Sequence, residues 1–235
     1  MHIRIIVLME IILFAALHSA CDKDEKDQNE NDSDMDTSNV SVIPKFVNTD
    51  YIELSKISRI SKFRSNVGHN YSDDFESCRS MKHYFQPDES VDWSAVLIYS
   101  PVNGTVSRID QEWAGTQVRI RSDEYPDIFF ILFHVSLDNP INIEDHVIAG
   151  QQLGTHIGEQ TMSDIAVGMN TQDGWKLISY FEIMTDSLFQ NYQLRGLNSR
   201  DDFIIPREAR DADPLTCEGE EFTVGGNLEN WVVLN

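Results

Sequence analysis

The sequence predicts a mainly β domain, closed at its C-terminal end by one or two short helices. Three observations carry this. Apolar and polar residues alternate in "TQVRIRS" (116–122), the pattern of a strand with one buried face. "DIFFILFHVSL" (127–137) is an unbroken apolar run, which reads as a strand buried on both faces. Short β-rich runs are also punctuated by Pro101, Asn103 and Gly104, and again by Ala149-Gly150, residues that favour turns.

The elements follow in order. "AVLIYSPVNGTVSRI" (95–109) gives two short strands around its Pro-Asn-Gly turn. "DHVIAGQQLGTHIG" (145–158) gives a strand, a tight turn and a second short strand, and "WKLISYFEIM" (175–184) another strand. After Met184, Thr185 or Asp186 is an N-cap and Gly196 a stop for a helix. Ser199-x-x-Asp202 has the form of a capping box. "FTVGGNLENWVVL" (222–234) ends the chain with an edge strand.

The chain has 235 residues and a net charge of -21. Such a surface repels nucleic acid. Lys56, Arg59, Lys62 and Arg64 are its one basic cluster, expected on a solvated face.

The first residues carry Arg4, an apolar run over 5–17 broken only by Glu10, then Ser19-Ala20-Cys21. This is the outline of an export signal (1–20), short for a membrane span. Cys21 after small residues resembles a bacterial lipobox, which implies lipidation and a membrane anchor. Asp22 to Asp36 holds eight acids and two lysines with almost nothing apolar. That composition cannot offset its ordering entropy, so 21–40 reads as a disordered tether. The expected division continues with a lead-in (41–65), a β domain (66–184) and a C-terminal extension (185–235). In an oxidising compartment Cys78 and Cys217 form one disulfide, tying the extension to the domain.

"GHNYSDDF" (68–75) contains His69-x-x-x-Asp73, a spacing that lets an imidazole and a carboxylate share one metal ion. With "SPVNGTVSRI", "FFILFHVSL", "INIEDHVIAGQQLGTHIG" and "SYFEI" in that order, residues 66–183 resemble the lysostaphin-like (LytM-type) zinc endopeptidases, which cut cell-wall peptide cross-links. The resemblance implies an antiparallel β sandwich with a groove across one sheet. It implies His69 and Asp73 as zinc ligands and His134 as the strand histidine assisting the attacking water. The family's His-x-His does not carry over. Aligned on Phe181-Glu182-Ile183, Ile178 and Tyr180 stand in its place, facing the groove with Glu182. Tyr180 or His156 would have to supply the third ligand that zinc needs.

Read without the resemblance, His69 caps a turn, His134 is a satisfied core histidine, and Asp73-Asp74 is an ordinary turn. His83 and His156 lie in polar stretches and read as surface residues; Glu76, Arg79 and Lys82 are candidate groove residues. The function expected is that of an exported, lipid-anchored envelope protein of a Gram-negative bacterium. Its degenerate peptidase-like domain would bind peptidoglycan peptide or an extended segment of an envelope protein without cutting it. The alternatives are an active zinc endopeptidase with an altered third ligand and a structural surface lipoprotein.

Overall fold

The computed structural model describes residues 43–235. The expected signal peptide, Cys21 and the acidic tether lie outside the described residues. The β class is as predicted. The runs around the first turn become β3 (Leu97–Tyr99) and β4 (Gly104–Glu112), followed by β5 (Gly115–Ser122) and β6 (Ile128–Leu137). The Ala-Gly turn separates β7 (His146–Val147) from β8 (Gln152–His156).

Four further strands lie where the sequence was read otherwise or passed over. The lead-in contains β1 (Ile57–Ser61), and the polar-aromatic stretch after "GHNYSDDF" contains β2 (His83–Pro87). "SDIAVGMNT" is β9 (Ser163–Thr171), which turns directly into β10 (Gly174–Ile178). The predicted strand over 175–184 therefore ends at Ile178, and "SYFEI" is a buried turn stabilised by the Ser179 amide donating to the Glu182 carboxylate at 2.9 Å. The extension holds a small hairpin, β11 (Thr216–Glu218) with β12 (Glu221–Val224), and the edge strand β13 (Trp231–Val233).

Eleven of these strands form one antiparallel sheet, ordered β13-β1-β2-β9-β6-β5-β4-β7, with β10 beside β9, and β8 beside β3 and β6. Helix α1 (Asp186–Gln193) is N-capped by Thr185, whose hydroxyl accepts from the Leu188 amide. The Ser199 capping box is present but opens only a 3-10 turn, and α2 (Arg207–Ala212) follows it.

Alternation sorts the sheet's side chains onto two faces. Phe130 and Leu132 of β6, Ile165 and Val167 of β9, and Val118 and Ile120 of β5 enter the main core. The turn residues Tyr180 and Phe181 and the α1 residues Leu188, Phe189 and Tyr192 close over it. Each fully buried side chain of this size contributes roughly 1.5–3 kcal/mol. The opposite face carries Ile131 and Phe133 of β6, Ala166 of β9 and Leu177 of β10. Phe63, Tyr71 and Met81 from the segment before β2 pack onto that second face. The Cys78–Cys217 disulfide is formed and pins this covering segment to β11. The basic cluster is dispersed: Lys56 pairs with Glu53, Arg59 lies over Trp231, and Arg64 pairs with Glu76.

Candidate functional site

The polar centre of the domain lies on the second face, beneath the covering segment. It begins with a break in β6. Residues 128–132 pair with β9, whereas 135–137 pair with β8. At this fork His134 takes φ +61°, a left-handed conformation that costs a non-glycine residue on the order of 1 kcal/mol or more. The break lets Val135 enter the core while the adjacent His134 ring turns to the second face. The ring is fixed at both nitrogens. Nδ1 donates to the Ala114 carbonyl at 2.8 Å, at the tip of the β4–β5 hairpin, and Nε2 lies 3.1 Å from Asp164 Oδ1. Gly115 is required in that tip: its φ is +83°, and a Cβ there would meet Ile157 at 2.3 Å.

Asp164 is wholly buried on β9, and its second oxygen lies 2.5 Å from Lys82 Nζ. Lys82 directly precedes β2 and is 1% exposed. Its ammonium sits 4.0 Å from the Phe133 ring centroid, 4.8 Å from Tyr71 and 5.1 Å from Tyr84. Three negative ring faces and one carboxylate thus surround one positive charge. The two Asp164 oxygens are thus divided between the Lys82 ammonium and the His134 ring. Burial would raise the Asp164 carboxyl, but Lys82 and then His134 outweigh it and hold it below its usual range. Burial would lower His134, but Asp164 overrides this and raises it. With both nitrogens facing acceptors, the protonated form of His134 is favoured. The centre is one carboxylate between an ammonium and an imidazole.

The predicted ligand pair does not join it. His69 is half-buried, its Nδ1 donating to the Asn70 carbonyl at 3.2 Å, 3.8 Å from Glu220. Burial and the Lys82 charge lower its pKa. Asp73 spends both oxygens on backbone amides: Oδ1 accepts from Phe75 at 2.9 Å and Glu76 at 2.8 Å, and Oδ2 from Leu177 at 2.8 Å.

The groove assignments built on "SYFEI" are corrected in the same way. Tyr180 lies in the main core and donates to the Thr49 carbonyl at 3.2 Å; Ile178 is buried in the same core, and Glu182 is a turn cap. The cause is register: the strand lying between β2 and β6 is β9, not "SYFEI". His83 and His156, expected at the surface, are both buried. His83 Nδ1 donates to the Ser61 carbonyl at 2.8 Å and Nε2 accepts from the Ser179 hydroxyl at 2.9 Å; burial pushes its pKa down to about 4. His156 pairs with Val135 across β8 and β6, and burial, then the His134 charge, push it down to about 4 as well. Glu76 and Arg79 pair with each other at 2.6 Å in the covering segment.

Among the described residues no three His, Cys, Asp or Glu side chains converge in a way that would hold a metal ion. Zinc needs three protein ligands. Here His134 and Asp164 converge, and the third position around Asp164 is taken by an ammonium. The residues present do not fit zinc.

Beyond the centre, the second face stays half-open. Trp113, at the hairpin tip, is 81% exposed with its ring 6.3 Å from His134. Arg119 of β5 lies over the rings of Phe129 at 5.0 Å and Trp175 at 4.6 Å. Trp175 in turn packs against Gly168 of β9, where a Cβ would sit 1.8 Å from the ring.

No protein-family model matches the chain, and no curated protein matches it. Among solved structures it is similar to a Ruminococcus gnavus ATCC 29149 protein assigned as the glycyl-glycine endopeptidase lytM. That match has 14% identity and a TM-score of 0.34, over 43% of each chain. It is similar to lysostaphin at 12% identity and a TM-score of 0.31, over 48% of this chain and 51% of lysostaphin. It is also similar to a chain of the SpoIIQ–SpoIIIAH pore-forming complex, at 10% identity and a TM-score of 0.41, over 63% of this chain and 96% of that one. The chain thus spans about half the length of the first two or less.

Proposed function

We propose that this is an exported, lipid-anchored envelope protein of a Gram-negative bacterium. Its peptidase-like domain binds an extended peptide, of peptidoglycan or of an envelope protein, without cutting it. The observation that carries the non-cutting part is Lys82. Its ammonium lies against Asp164 inside three aromatic rings, so the polar centre already contains its cation. Catalysis of the lysostaphin type needs a metal with an open position for water. The half-open second face supports the binding part. A sheet face with exposed Trp113 and half-buried Phe129 and Trp175 suits an extended chain, whose alternate side chains fall into successive pockets. The apolar run over 5–17, Cys21 shortly after it and the acids that follow support export and anchoring.

The test combines three measurements on the full chain, purified without a metal-binding tag: zinc content, cosedimentation with purified peptidoglycan, and release of peptide from it. The expected result is sedimentation that a chelator leaves unchanged, no stoichiometric zinc and no release. One zinc per chain with chelator-sensitive release would overturn the reading in favour of an active endopeptidase. Neither sedimentation nor release would leave a structural lipoprotein.

A further inference from the structure

Arg119 has no hydrogen-bond acceptor for its guanidinium among the described residues, and its Nε is buried without a partner. Its neighbourhood makes this costly. In the β4–β5 register Arg119 stands directly opposite Arg108, and like charges placed opposite each other destabilise a strand pair. Arg108 has its own partner, Nε lying 2.7 Å from Asp110. Arg119 packs against the faces of Phe129 and Trp175 and feels the Asp110 carboxylate only at a distance, with no hydrogen bond to it. Ring stacking accounts for its orientation and leaves its donors unused. A guanidinium offers five N–H groups in a fixed fork that matches a carboxylate. Arg121, exposed on the same strand two residues on, adds a third positive charge in a chain whose net charge is -21.

We propose that Arg119, with Arg108 across from it, is a carboxylate subsite that receives an acidic side chain of an extended peptide lying over β4, β5 and β6. This rests on the peptide-binding reading above and specifies the charge of the peptide. A carboxylate there gives Arg119 a bidentate partner and relieves its repulsion with Arg108. The stacked rings hold the fork in place, so little rotamer freedom is lost on binding.

The test titrates the full chain with Ac-Ala-Glu-Ala-amide and with its glutamine counterpart, following the Trp175 indole resonance and the Arg119 Nε–H signal. The expected result is a saturable shift of both signals with the glutamate peptide, at least about tenfold tighter than with the glutamine peptide, as a charge-assisted bond implies. The preference falls to about twofold or less in Arg119→Gln, is weakened in Arg119→Lys, which keeps the charge but not the fork, and declines with added salt. An unchanged near-ultraviolet circular dichroism spectrum confirms that the variants are folded. Equal affinity for the two peptides, a preference that survives Arg119→Gln, or no saturable shift with either peptide would each refute the subsite. Peptidoglycan sedimentation scores the broader reading independently.

Discussion

Replacing Lys82 with methionine tests whether the ammonium holds the centre together. The two charges are 2.5 Å apart and both fully buried. At an effective dielectric of about 20 their attraction is about 7 kcal/mol, most of it offset by the cost of desolvating two ions. Removing one partner forfeits the attraction and leaves the other charge buried, which typically costs about 3–5 kcal/mol. His134 remains 3.1 Å from Asp164, so Lys82→Met falls at the low end, about 3 kcal/mol. For a domain of this size that is a fall in melting temperature of about 6–12 °C. The double variant Lys82→Met/Asp164→Leu removes both charges and recovers to within about 1 kcal/mol of the parent.

The penalty of Lys82→Met also grows with pH. The native His134 pKa is raised, so its stabilising charge is fully present below the unfolded value and is lost as pH rises through the native one. Urea melts of the parent, Lys82→Met, Asp164→Leu and the double variant between pH 5 and 9 measure this. A single variant within about 0.5 kcal/mol of the parent, or a double variant as unstable as the sum of the singles, would refute the idea that the charges are mutually dependent.

Three further outcomes follow from the same geometry. Asp73→Ala lowers stability by about 2 kcal/mol, since three backbone amides lose their acceptor, and chemical denaturation should show the same loss with zinc or with a chelator present. Reducing the Cys78–Cys217 bridge, which closes a separation of 139 residues, costs about 3–5 kcal/mol in the chain-entropy model, read as the difference between melts with and without reductant. Asp50→Asn stabilises the domain at pH 8 by about 3 kcal/mol and has little effect at pH 4. Burial raises the Asp50 carboxyl from 3.8 to about 7 against the Tyr192 hydrogen bond, so its contribution is full below the unfolded pKa and is lost as pH rises through 7; equal effects at both pH values would contradict this.

Much of the sheet is legible from the sequence because its strands are apolar or alternate cleanly. Val118 and Ile120 point to one side, Arg119 and Arg121 to the other, and the core follows from that. The Thr185 cap and the Ser199 capping box are local and were equally readable. The centre is not local. Lys82, His134 and Asp164 come from three strands or strand ends, and the register that places Tyr84 opposite Asp164 is set by packing. The available signal was faint: one acid, Asp164, at the head of the apolar stretch "DIAVG", and one lysine among "MKHYF". "SYFEI" misled because a buried turn is as apolar as a strand, and Phe181 fills the core by stacking on Phe203 at 3.6 Å. His69 and Asp73 keep the spacing of a metal motif while serving a turn, because spacing alone does not determine where a carboxylate points.

The disulfide also bears on how the centre is reached. Residues 66–81 roof the ion pair with few strand bonds of their own, such as the Tyr71 amide to Arg79 at 3.1 Å and the Met81 amide to Tyr71 at 2.9 Å. A roof of this kind would ordinarily open by local fluctuation far more often than the sheet beneath it. Cys78 fastens it to a hairpin that is also held through the Asn70 amide, which donates to the Glu220 carbonyl at 2.7 Å. The bridge ties down this roof, so hydrogen exchange at the Tyr71 and Met81 amides is expected to be slower with it closed than with it open. With it open, the roof becomes an independent unit, and access to the buried charges is set by the redox state of a bond at the edge of the molecule.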